Sequence, residues 1–253
     1  MVASQVHLVR HGEVFNPDGI LYGRLPGFGL SKLGHRMAAM AAEDLRSRGR
    51  TIAGLRVSPL QRTRESAAPI AALFALDPEF DERIIEPTNH FEGTVMKRAL
   101  RNPINWPYLV NPLRPTWGEA YTSIEKRMLA AIDDAFDSVD GGDVVLVSHQ
   151  LPIWVAHLSV SGERFWHDPR KRRCALSSIT TLERTAEPPA QPENTAPGAS
   201  PAPAAVTATS AGSAPSAVPV PVEAGTPVLR LVEAGYADPA ASLNATATDV
   251  GAV

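Results

Sequence analysis

This sequence is short of cysteine, of aromatics and of long apolar runs, and each shortage excludes something. Cys174 is the one thiol in 253 residues, so no disulfide can form within the chain and a reducing, cytoplasmic setting is expected. No apolar stretch approaches the roughly 20 residues that span a bilayer, and no basic segment with an apolar core after it marks a secretory leader. A membrane partner is therefore not expected. Basic residues are scarce in the back part. After Arg184 a single arginine, Arg230, stands against six carboxylates, a net of −5, which leaves +2 for residues 1–184. Neither balance argues for bulk nucleic-acid binding. Residues 186–225 have no lysine, arginine or aromatic and are mostly Pro, Ala, Ser and Thr. Such a segment cannot bury enough surface to offset chain entropy and is predicted to be a disordered insertion.

What is present is a well-patterned front part, in a chain that is 44% hydrophobic. "QVHLV" (5–9), "GLRVS" (54–58), "FDERII" (80–85), "DVVLVS" (143–148) and "ALSSITTLE" (175–183) read as strands. Between them, helical spacing runs from the cap Ser31 to about Arg48, over 61–76 with Pro69 inside, over 119–139 and over 151–160. The run 143–148 is continuously apolar, as a central parallel strand covered on both faces requires. The alternation predicts an α/β fold: a three-layer α/β/α sandwich with a mostly parallel central sheet and one antiparallel strand. Residues 1–185 form the domain, and 87–117, rich in Pro and aromatics, form a lid-like excursion. "PVLRLVEAGYAD" regains a strand pattern, so 226–238 reads as a returning edge strand, with 239–253 a flexible end.

Ligands in such sheets bind at the carboxyl ends of strands. Three of those ends carry groups able to bear positive charge: Arg10–His11, Arg62 after the second strand, and His149 after the central one. Glu86 supplies a carboxylate at a fourth. A buried cation is costly unless an anion meets it, so this edge reads as an anion pocket with a nucleophile and a proton donor.

The ordered set "LVRHGE" (8–13), "SPLQRTRESA" (58–67), "IIE" (84–86) before "FEG" (91–93), "GEAYTSIEKR" (118–127) and "VLVSH" (145–149) resembles the histidine phosphatase superfamily, in its phosphoglycerate mutase-like branch. The resemblance spans roughly residues 5–183. It implies that His11 attacks phosphorus and becomes phosphohistidine, and that Arg10, Arg62 and protonated His149 hold the equatorial oxygens. It also implies that Glu86 protonates the leaving oxygen and later takes a proton from water. Gly12, Asn16, Arg24, His90 and Gln150 are the candidate substrate-binding residues. No cofactor and no metal are implied. Val14 stands where the family often has threonine, and Gln150 where glycine is common. The long insertion of the mutases after the general acid is not evident, which favours a phosphatase acting on a phosphorylated small molecule.

Other residues have plainer readings. His7 is a strand residue facing a polar neighbour, His35 is solvated and His157 is packed. Trp106, Tyr108 and Trp117 pin the excursion or cover substrate. Arg170–Arg173 form a cationic rim or a solvated loop. A metallohydrolase built on His11, His149 and Glu86 lacks a paired-ligand spacing, and an intact His11–Glu86 pair argues against a phospholigand binder without turnover. A homodimer is left open.

Overall fold

The computed structural model describes residues 2–109, 117–168, 171–186 and 229–248. Met1–Arg184 together with Leu231–Val253 form one compact unit, and Thr185–Arg230 form a second. The predicted insertion at 186–225 lies outside the described residues except for Ala186, and so do residues 110–116 of the excursion, Arg170 and residues 249–253.

Six strands form one sheet in the order β3-β2-β4-β1-β5-β6. They are β1 (Gln5–Arg10), β2 (Ile52–Val57), β3 (Glu79–Phe80), β4 (Asp143–Ser148), β5 (Ile179–Ala186) and β6 (Leu229–Ala237). The pairs β1·β4, β2·β4 and β2·β3 are parallel and β1·β5 is antiparallel. The three-layer, mostly parallel reading therefore holds. Successive side chains of β4 serve opposite layers: Val144 and Leu146 pack with Ile124, Met128, Ile132 and Phe136 of α4 (Tyr121–Asp137). Val145 and Val147 pack with Ala41 and Leu45 of α1 (Lys32–Ser47) and Ile70 of α2 (Gln61–Phe74). A strand buried on both faces needs an unbroken apolar run, and "VVLV" supplies it. No helix among the described residues is long and apolar enough to cross a membrane.

Three expectations are corrected. The third strand stops at Phe80, because the Asp81 side chain accepts from Arg83 N–H at 2.8 Å and starts a 3₁₀ turn over Glu82–Ile84. Such Asx bonding competes with ladder pairing. The fifth strand starts at Ile179, not 175, because Ser177 takes a left-handed conformation at φ 57°. The chain end is not all loose. Residues Ala241–Asn244 form the short α6, and Ala240 and Leu243 pack with Met37 and Leu176. Thr248 N–H then reaches Glu13 Oε1 at 2.7 Å. Between α2 and α4 lie α3 (Met96–Ala99) and a 3₁₀ helix over Pro103–Leu109, and α5 spans Gln150–Val160.

Candidate active site

Sheet register assembles the site. Arg10 pairs with Ser148 across β1 and β4, and Val57 with Val147 across β2 and β4. The next residues, His11, His149 and Ser58, therefore leave the sheet side by side at its carboxyl edge. The His11 and His149 rings stand 5.3 Å apart, edge to face. Ser58 Oγ lies 2.7 Å from His149 Nε2. His11 Nδ1 lies 2.8 Å from the Gly12 carbonyl, which can only accept. The ring's hydrogen is therefore on Nδ1, and Nε2 keeps its lone pair as the nucleophilic nitrogen.

The cations arrive from two directions. Arg10 is buried at the end of β1 and its Nη1 donates to the Cys174 carbonyl at 2.6 Å. Arg62 is buried in the first turn of α2, donates through Nη2 to the Gly23 carbonyl at 2.9 Å and lies 4.7 Å over the Tyr22 ring. At that helix end the free amides and the dipole already favour an anion.

Glu86 is delivered by a row of bound carbonyls. Arg127 Nη1 donates to the carbonyls of Arg83 and Ile85 at 2.6 and 2.7 Å, and Ser148 Oγ to that of Ile84 at 2.7 Å. Arg24 Nε donates to Glu86 O at 2.5 Å. Arg127 is itself held by Glu119, with Nη2 to Oε2 at 2.9 Å. This frame puts Glu86 Oε2 3.7 Å from His149 Nδ1. Three buried atoms here have no hydrogen-bond partner among the described residues: Arg62 Nε, Glu86 Oε2 and His149 Nδ1. Buried polar atoms are nearly always paired, so a cluster of exceptions marks where the atoms of a ligand belong.

The field follows from burial. Desolvation, then the charges of Arg62 and Arg10, holds His11 well below the ordinary histidine pKa, so the nucleophile is deprotonated. Desolvation raises Glu86 against the pull of Arg62 and Arg172, which favours the protonated acid. His149 is also lowered, by burial and then Arg62. The expected protonated His149 thus meets a field that opposes it until an anion arrives. As a neutral ring it still donates from Nδ1 when the Ser58 hydroxyl donates to Nε2.

The other predicted binding residues separate. Gly12 serves packing: its N–H donates to Ser66 Oγ at 3.0 Å, and a Cβ there would lie 2.4 Å from Gly34 O. The Asn16 side chain closes a turn, accepting from Ile20 N–H at 3.0 Å and donating to its carbonyl at 2.8 Å. Gln150 Nε2 reaches the Cys174 carbonyl at 3.4 Å, beside Arg10. His90 is not brought to the cluster. It is exposed and stacked on Tyr108 at 3.8 Å, because its neighbour Phe91 takes the inward position with Leu21 and Ala99. Trp117 pins that same cluster, while Trp106 is exposed. Ser58 stands at the second of the three strand ends that the sequence pointed to. Sequence reasoning missed Arg127, Glu119 and the Cys174 carbonyl: the matched stretch 118–127 contains the first two, but nothing in it says which side chain reaches the site. Among the described residues no group of His, Cys, Asp or Glu is placed to hold a metal ion.

The chain is similar to several known proteins. A relative named "Uncharacterized protein Rv0525", from Mycobacterium tuberculosis (strain ATCC 25618 / H37Rv), is 52% identical over 182 residues, 71% of this chain and 89% of its own. "Probable phosphoglycerate mutase GpmB" of Escherichia coli O139:H28 is 30% identical over 190 residues, 71% of this chain and 86% of its own. Among solved structures, phosphoserine phosphatase from Entamoeba histolytica in complex with 3-phosphoglyceric acid shares the fold, with a TM-score of 0.57 and 21% identity over 70% of this chain and 89% of its own. The model of the histidine phosphatase superfamily (branch 1) matches residues 6–191, and the chain belongs to that superfamily.

Proposed function

We propose that the protein is a phosphomonoester phosphatase that works through a phosphohistidine on His11. The observation that carries this reading is the set of buried atoms on Arg62, Glu86 and His149 that have no partner among the described residues, around a His11 whose Nε2 lone pair is fixed by the Gly12 carbonyl. In the first step His11 Nε2 forms a bond to phosphorus, the ester P–O bond breaks, and Glu86 gives its proton to the departing oxygen. In the second, water attacks phosphorus, Glu86 takes a proton from it, and the P–N bond breaks to release phosphate. Arg10, Arg62 and His149 gather the charge that spreads over the three equatorial oxygens. Positive charge is thus supplied by side chains. Similar proteins include one named as a phosphatase and one named as a probable mutase. The short segment between Glu86 and α3 supports hydrolysis.

The test is rapid quench in base with a ³²P-labelled phosphomonoester, followed by peptide mapping. Acid-labile, base-stable label on His11, absent from His11→Ala, is expected, with inorganic phosphate as product. Label on another residue, or an isomerised ester in place of phosphate, overturns the reading.

A further inference from the structure

Arg172 is a cation that this chemistry leaves over. Its Nε donates to His167 Nε2 at 2.8 Å and its Nη1 to Gln150 Oε1 at 3.3 Å. His167 Nδ1 lies 2.6 Å from the Phe165 carbonyl, so the hydrogen is on Nδ1 and Nε2 is a neutral acceptor. Both partners of Arg172 are therefore uncharged, and among the described residues no carboxylate stands within ion-pair distance of it. Its neighbour Arg173 is different, since it pairs with Glu233 and lies over the Tyr236 ring.

Arg172 is also joined to the reacting end of the pocket. Gln150 follows His149 directly, and its amide shares the Cys174 carbonyl with Arg10. One turn along α5, Trp154 is 9% exposed and its indole N–H has no hydrogen-bond partner among the described residues. Its ring stands 5.8 Å from that of His167, which in turn is 6.0 Å from Tyr121. A guanidinium on neutral supports and an unpaired indole N–H thus share one wall of flat rings. The charges give the same result. A phosphoryl dianion would meet Arg10 and Arg62, and burial favours the neutral acid at Glu86, so among the described residues Arg172 keeps its charge without a counterpart. Arg172 is half-buried, and a cation drawn partly out of water without an anion is costly.

We propose that Arg172 is a specificity-determining residue that binds a second anionic group, a carboxylate or a further phosphate, carried by the leaving group of the same substrate. The inference rests on the phosphatase reading and names its substrate class. The experiment compares esters that differ by that group alone: 3-phosphoglycerate against glycerol 3-phosphate, phosphoserine against phosphoethanolamine, and a sugar bisphosphate against its monophosphate. Wild type is expected to favour one or more of the anionic partners by about 10-fold or more in kcat/KM, as for a charge-assisted bidentate contact. Arg172→Gln should erase that preference through KM, so that the loss on the anionic ester exceeds the loss on 4-nitrophenyl phosphate about 10-fold. Arg172→Lys should keep part of it, because the charge remains without the fork, and it serves the same comparison if the Gln variant does not fold. Equal losses on all esters, or no preference in wild type, overturn the proposal. If no ester is turned over, the phosphatase reading fails separately. Calorimetric titration of wild type and Arg172→Gln with 3-phosphoglycerate and glycerol 3-phosphate then decides the subsite. An affinity difference lost in the variant supports it, and its absence in wild type overturns it.

Discussion

The two ends of the same pair of strands carry buried charge clusters with opposite designs. At the amino end of β1 and β4, Asp143 accepts from Arg50 Nε at 2.5 Å and Nη2 at 2.8 Å and from Gln5 N–H at 3.1 Å. His7 lies between Asp143 at 3.3 Å and Thr181 at 3.0 Å. Charge meets opposite charge, and the cluster closes on itself. At the carboxyl end of the same strands, cations outnumber carboxylates and three buried atoms lack partners among the described residues. A buried polar cluster that satisfies itself holds a fold together, while one that leaves its donors over is built to meet something from outside. Burial alone does not separate the two; pairing does.

Breaking the open end should harm chemistry and spare stability. Arg62→Met is expected to lower kcat by about 10²–10³-fold on aryl and alkyl phosphates alike, the size of a lost transition-state donor. Its melting temperature should stay equal or rise, since a desolvated guanidinium leaves the interior. Steady-state kinetics and a thermal scan check both, and a substantial drop in melting temperature would show that the open end also holds the fold.

Glu86→Gln is the next largest effect and depends on the leaving group. Alkyl phosphates should slow by about 10²-fold, while 4-nitrophenyl phosphate, whose leaving oxygen needs little protonation, should lose only a few-fold. The pH dependence carries a sign. Burial raises Glu86 above its usual range, and the proposed first step uses its acid form. The wild-type rate on alkyl esters should therefore hold at low pH and fall as pH rises through that raised value. Dividing the wild-type profile by that of Glu86→Gln cancels the ionisation of the substrate. A ratio that is flat with pH would remove Glu86 from the role of acid.

These two variants touch the part of the site that the sequence makes legible, and the reason is geometric. His11, Ser58 and His149 each follow a strand, and parallel register alone brings them together. A strand end can be read one-dimensionally. Arg172 and Gln150 meet through side chains 22 residues apart, and Arg127 reaches the carbonyl of Arg83 across 44. No period or motif encodes such relays. His90 shows the converse error. It sits close after Glu86 in sequence, yet the inward turn of Phe91 sends it out to Tyr108. "FDERII" misled for a local reason, since alternation favoured a strand while Asp81 offered its own backbone a turn.

Breaking the closed end should do the reverse. Asp143 is held at about 2, as burial is outweighed by Arg50 and His7. Its folded pKa lies below its unfolded one, so its contribution is present above about pH 4 and is lost as pH falls toward 2. Arg50 is 40% exposed, and screening by water trims the gain to about 1–2 kcal/mol. Asp143→Asn should therefore be less stable than wild type by about that amount at pH 7, with the gap closing in acid. Turnover should stay within about 2-fold. Chemical denaturation at pH 7 and pH 3 reads the difference, and a gap that widens in acid would reverse the assignment.

The smallest effect joins the sheet edge to the open end. β6 fastens the loop before β5: Tyr236 Oη accepts from Ala175 N–H at 3.2 Å, and Arg173 lies 4.6 Å over the Tyr236 ring. Glu233 holds Arg173 and also accepts from His157 Nδ1 at 2.5 Å. Between Arg173 and Ala175 lies Cys174, whose carbonyl takes Nη1 of Arg10. The edge strand is therefore one carbonyl away from Arg10, a link that the strand pattern of 226–238 does not encode. Tyr236→Phe keeps the ring under Arg173 and removes only the acceptor for Ala175. One hydrogen bond contributes about 0.5–1.5 kcal/mol, so the melting temperature should fall by about 1–5 °C for a unit of this size. If the loop positions Arg10, kcat should fall about 2- to 5-fold on every ester, with the preference among leaving groups unchanged. The control is Arg173→Gln, which loosens the same loop from its other side. The two single losses should exceed the further loss on combining them, since both act through one peptide. Full additivity would mean that the two side chains stabilise the edge independently and that Arg10 does not depend on either.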